Sequence, residues 1–162
     1  MVSSSSLVVC QLTAFIGITG GFAPPTPSAI HTITLAESNL ATAPSAEHRT
    51  LQIASSIRPD GTIDLQDALP KELHYMPGSD EESTINELHG ILKSLPTESP
   101  PGSEDIYGSD TSIAWFSDDL EWCNGGPQGC GGGQSVVNAS EEHKAKFKRA
   151  VSIINDLVTK AK

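Results

Sequence analysis

Cys123 and Cys130 frame the stretch WCNGGPQGC and are the residues best placed to form a covalent link. Six residues separate them, three of them Gly and one Pro. Such a segment turns without strain, so the two sulfurs can meet. The expected product is a disulfide, and the chain-entropy account gives so short a loop about 2.5 kcal/mol. An oxidised pair suits an exported chain. So does the single N-glycosylation sequon, Asn138-Ala139-Ser140, with Asn138 as the acceptor.

The remaining reactive side chains do not converge. Five histidines, His31, His48, His74, His89 and His143, are scattered along the chain, none at metal-ligand spacing to another His or Cys. No Gly-rich phosphate loop, nucleophile elbow or zinc-protease helix is present. Asp118 and Asp119 are adjacent acids in an acidic stretch, where solvation is the ordinary fate. The expectation is a chain without catalysis, cofactor or metal.

The elements that must carry these residues are short. Residues 1–29, with the run LVVCQLTAFIGITGGFA, have the apolar length of a secretory signal rather than a membrane span. Residues 30–83 are rich in Ala, Ser and Thr and are expected to be a flexible leader that ends in an acidic patch, Asp80, Glu81 and Glu82. Residues 84–112 hold one short helix, with Thr84 and Glu87 as a capping box and Ile85, Leu88, Leu92 and Leu95 at helical spacing, then a Pro/Gly/Ser linker. Residues 113–162 hold an aromatic segment with both tryptophans, Trp115 and Trp122, the cysteine loop, and an amphipathic helix. That helix is expected to start at an Asn138 cap and to carry its stripe on Phe147, Ala150, Val151, Ile154, Leu157 and Val158.

Composition sets the expected fold class. The net charge is -10, aromatics make up 5%, and there are 11 Pro and 14 Gly among 162 residues. Such a chain is expected to be mainly disordered or coiled, with a small α-helical C-terminal portion and no large globular core. The acidity excludes a nucleic-acid partner, because a phosphate backbone needs a basic face. No segment after residue 29 has the length and hydropathy of a membrane span.

Two resemblances add a setting. Arg49-Thr50-Leu51-Gln52 resembles the label of RxLR-type secreted effectors of plant-pathogenic oomycetes, with Gln52 where that family has a second Arg. Asp80-Glu81-Glu82 resembles the acidic part of the motif that follows in the same family, with Ser83 in place of Arg. This likeness implies a translocation or processing label at Arg49–Gln52, secretion, delivery into a host cell, and a host protein as partner. Separately, WCNGGPQGC is similar to the peptide of ascomycete alpha-type mating pheromones, and KFKR downstream to the dibasic sites that release it. That likeness implies a precursor that releases a looped peptide around Trp122–Cys130. The favoured expectation is a non-enzymatic secreted effector that modulates host immunity or cell death by binding host proteins.

Overall fold

Apolar residues alternate with small polar ones through much of the N-terminal half, and that period builds strands. The computed structural model describes residues 11–16, 28–37, 49–59, 61–62, 64–75, 78–100, 103–117, 119–125 and 134–161. Three strands, β1 (Gln11–Ile16), β2 (Ala29–Glu37) and β3 (Arg49–Ile57), form an antiparallel meander. In β2, His31, Ile33 and Leu35 are buried on one face while Thr32 and Thr34 lie on the other. In β3, Leu51, Ile53 and Ser55 are buried and Gln52 and Ala54 are exposed. The β-branched Ile and Thr fit this pleat.

The free side of β3 takes β4 (Gln66–Asp67) and β5 (Lys71–Tyr75) one after the other. On the far side of β1 lies β6 (Thr111–Phe116), followed by β7 (Glu121–Cys123). The order is β4-β3-β2-β1-β6-β7, with β5 also on β3. The expected mainly coiled chain is therefore overturned. About a third of the described residues lie in a seven-stranded antiparallel sheet, backed by two helices around a compact core.

The outer strand carries a built-in break. Ser56 pairs with Asp67 and Ile53 with Lys71, so Ala68, Leu69 and Pro70 span only two residues of β3. One extra residue makes this a β-bulge. Ala68 N still donates to Ser55 O at 2.8 Å, whereas Pro70 has no N–H to offer. Bulge and proline together blunt this edge against further strand pairing.

Helix α1 (Asp80–Ser94) starts at a Ser79 cap, whose Oγ accepts from Glu82 N, rather than at the expected Thr84. Asp80, Glu81 and Glu82 are its first turn, where negative charge complements the helix dipole. Helix α2 (Glu141–Lys160) starts at Ser140 rather than Asn138. Ser140 Oγ accepts from His143 N at 3.2 Å, and Ser140 N donates to His143 Nδ1 at 3.3 Å. Two ion pairs clasp the helices: Arg149 Nε lies 2.9 Å from Glu87 Oε1, and Lys160 Nζ lies 2.5 Å from Glu81 Oε1. Hydrogen bonds from these cations hold both carboxyls below the ordinary range. The pairs run in opposite sequence order, so the helices lie antiparallel.

Leu12, Ile33, Leu51, Ile113 and Trp115 of the sheet meet Leu88 and Leu92 of α1 and Phe147, Ile153 and Ile154 of α2 in one core. The segment between α1 and β6 adds Ile106 and Tyr107. Trp122 is 7% exposed, and its Nε1 donates to Leu95 O at 3.0 Å.

His31 is a titratable group in the buried face. It is 7% exposed, with Nδ1 2.8 Å from Ser55 Oγ. Burial first, and the Lys71 ammonium second, hold its pKa below the ordinary 6.5. A base depressed on folding takes up its proton more readily in the unfolded chain. Stability is then flat above the unfolded value and falls as pH drops below about 6.5, by at most about 1.4 kcal/mol per pH unit for one proton. Urea midpoints between about pH 5 and pH 8 check this. The expected result is that His31→Gln removes part of the acid-side slope. Identical slopes for the two proteins would sink the assignment.

Candidate binding surface

The residues singled out in the sequence are dispersed by the fold. Thr50, Leu51 and Gln52 are interior positions of β3, and Arg49 opens it. Leu51 is 1% exposed, so a cut after Gln52 would divide a strand that pairs on both sides. Asp80, Glu81 and Glu82 serve the start of α1, with Glu81 engaged by Lys160. Asn138 is exposed, two residues ahead of the α2 cap. Cys123 stands on the outer side of β7, and its thiol donates to Asn124 O and Gly125 O. Burial and the nearby Glu98 carboxylate push that thiol's pKa up, which lowers its thiolate fraction. Cys130 and Asp118, and with Cys130 the expected disulfide, lie outside the described residues. Trp122, which would begin the pheromone-like peptide, is part of the core.

A second cluster escaped the sequence because its members come from different elements. His89 of α1 has Nε2 3.0 Å from Asp119 Oδ2. Ser117 Oγ donates to Asp119 Oδ1 at 2.8 Å and accepts from Trp115 Nε1 at 2.9 Å. The Ser117 hydrogen bond, with His89 nearby, holds the Asp119 carboxyl below its ordinary range. The three residue types are those of a hydrolytic triad, but the order is not. Ser117 donates to the carboxylate, not to an imidazole nitrogen, so the Ser-to-His-to-Asp relay of a hydrolytic triad is not formed. The arrangement ties the β6–β7 turn to α1. Among the described residues, no three His, Cys, Asp or Glu side chains gather as metal ligands, and no helix is long and apolar enough to cross a membrane.

The surface that stands out is the sheet face opposite the helices. Strand alternation places Gln11, Thr13 and Phe15 of β1 there, beside Ile30, Thr32 and Thr34 of β2. Gln52, Ala54 and Ser56 of β3 continue the rows on one side; on the other, Ser112 and Ala114 of β6 share the register but are buried, at 4% and 7% exposure, and Phe116 is the residue of that strand that reaches the surface. None of these residues is charged, in a chain of net charge -10. Among the described strand positions of this face, the charged or ionisable ones lie at the two margins: Asp67 of β4 with Glu72 and His74 of β5, and Glu121 of β7. Phe116 is 45% exposed. A cavity of about 340 Å³ opens on the same face, lined by Thr32, Thr34, Gln52, Ala54, Pro70 and Glu72. Beside Pro70 stands Leu69, 87% exposed on the bulge.

A centre depleted of charge, aromatic and apolar points, and a polar rim is the composition that sets protein interfaces apart from ordinary surface. Sequence reasoning missed this surface because no single segment holds it. Its trace in the sequence is the Thr, Ala and Ser content of residues 30–56, which reads equally as a flexible leader. No family model, curated protein or solved structure matches the chain.

Proposed function

We propose that this protein works by binding another protein through the open face of its sheet, without chemistry of its own. The observation that carries this reading is the uncharged field around Thr13, Thr32 and Ala54, bounded by Asp67, Glu72 and Glu121 and indented by the groove beside Pro70. In the setting that the Arg49–Gln52 resemblance implies, the bound protein belongs to a host and the chain is a secreted effector. The binding role does not depend on that label, since it rests on surface chemistry that the folded sheet presents.

Immobilised wild-type protein and the variants Thr32→Arg and Ala54→Glu, compared on the same plant extract, test the reading. Both sites point away from the core, so both variants are expected to unfold within a few degrees of wild type. A buried uncompensated charge at an interface centre costs several kcal/mol. A true partner should therefore bind each variant at least about tenfold more weakly when purified and titrated. Partners that bind all three proteins equally would overturn the assignment of this face.

A further inference from the structure

We infer that the groove beside Pro70 takes the guanidinium of an arginine that the bound protein presents. This deepens the reading of the open face as a protein-docking surface and rests on it. Two charged residues line the groove, Lys71 and Glu72, and they part company across the sheet. Strand alternation in β5 turns Lys71, Leu73 and Tyr75 toward the helices and Glu72 and His74 away from them. The Lys71 ammonium donates to Val158 O in the last turn of α2, at 3.3 Å, so its charge is committed on the far side. Glu72 is exposed, and among the described residues no cation pairs with it. The groove therefore holds one unbalanced negative charge at the edge of an uncharged field.

The remaining lining suits an arginine better than a lysine. Gln52 lies directly across from Glu72, and Thr34 directly across from Gln52. A carboxylate, an amide oxygen and a hydroxyl thus form one row at strand spacing, about 4.8 Å, and all three accept hydrogen bonds. A guanidinium spreads five N–H donors in a flat fork, so it can grip the carboxylate with two and reach the next acceptor with a third. An ammonium is a compact, strongly hydrated point charge that cannot span the row. Pro70 and Ala54 give the aliphatic stem an apolar bed, and Leu69, 87% exposed, stands at its side. At about 340 Å³ the groove is at the lower end of small-ligand sites, a fit for one side chain rather than a length of chain. A net charge of -10 draws basic partners toward it.

The test is an NMR titration of the nitrogen-15-labelled full chain with N-acetyl-arginine amide, its lysine counterpart, and N-acetyl-citrulline amide, which keeps the shape of arginine without the charge. It is run at about pH 7.5, where exposed imidazoles are ordinarily neutral, and at about 0.05 and 0.5 M NaCl. The arginine probe should shift the amides of Thr34, Gln52, Ala54 and Glu72 saturably, with a Kd of about 1–20 mM. Citrulline, lysine, the higher salt and Glu72→Gln should each weaken binding about threefold or more. Glu72 is exposed, so Glu72→Gln should unfold within a few degrees of wild type. Shifts that never saturate, that scatter over Asp80, Glu81 and Asp119, or that survive Glu72→Gln would overturn the inference. A lysine probe bound as tightly as arginine would overturn the choice of a guanidinium. A protein purified from the extract should lose at least about tenfold in affinity for Glu72→Gln. If it loses affinity for Thr32→Arg but not for Glu72→Gln, the docking face stands and the arginine inference falls. If it loses neither, the face falls as well.

Discussion

A chain shortened to begin at Ile30 is expected not to fold. The residues removed include β1, which lies between β2 and β6 and pairs with both along its whole length. Without it the sheet separates into a β2–β5 part and a β6–β7 part. Leu12, 1% exposed, and Ala14, 2% exposed, leave the core as well. Emptying a single buried leucine site costs about 3–5 kcal/mol, and losing both ladders adds to that. The total reaches the 5–15 kcal/mol by which whole domains are stable. The shortened chain should show no cooperative urea transition and no near-ultraviolet signal from Trp115 and Trp122. A chain that begins at Leu7 keeps β1 and should show both. The outcome bears on export, because a signal peptidase cutting after Ala29 would take β1 away. A folded, cooperative chain from Ile30 would make that cut tolerable and would show β1 to be dispensable.

What the letters revealed depended on the contrast between buried and exposed positions. In α2, Phe147, Ala150, Ile154 and Leu157 alternate with Lys148, Arg149, Asn155 and Asp156, so the helix is plain although its cap lies at Ser140. In α1 the stripe Ile85, Leu88 and Leu92 was equally plain, with the start displaced from Thr84 to Ser79 because the hydroxyl that meets a first-turn amide is Ser79's. The strands had no such contrast. Thr32, Thr34 and Ala54 stand where a solvated face would ordinarily carry charge, so the period of two in β2 and β3 was hidden in Ala, Ser and Thr. Gln11–Ile16 was hidden the other way, since a central strand and the apolar run of a secretory signal draw on the same residues. The open face joins Thr13, Thr32 and Ala54 through strand register, which no local spacing encodes. His89 and Asp119 meet for the same reason, one on a helix and one in a turn.

The largest expected effect of a single substitution is that of Phe147→Ala, a loss of about 3–5 kcal/mol. Phe147 is fully buried on α2. Its ring stacks on Tyr107 with centroids 4.3 Å apart and planes 10° from parallel, and it lies 6.4 Å from Trp122. Those two rings hold the chain that leaves α1: the Tyr107 hydroxyl donates to Pro96 O, and Trp122 Nε1 donates to Leu95 O. Phe147 thus fills the space beneath the joint between the sheet, the end of α1 and α2. Removing it leaves a cavity that the sheet cannot collapse into without breaking one of those hydrogen bonds, which places the cost toward the upper part of the range. Two measurements check this. The urea midpoint should fall, with the slope of the transition preserved. The Tyr107 phenol, pushed above its ordinary range by burial first and the Glu98 carboxylate second, should titrate lower once its covering ring is gone. Phe147→Leu, which refills most of the volume, should recover much of the stability but not the stacked ring. A loss below about 1.5 kcal/mol in Phe147→Ala, with the phenol unmoved, would mean that the joint is held by its hydrogen bonds alone.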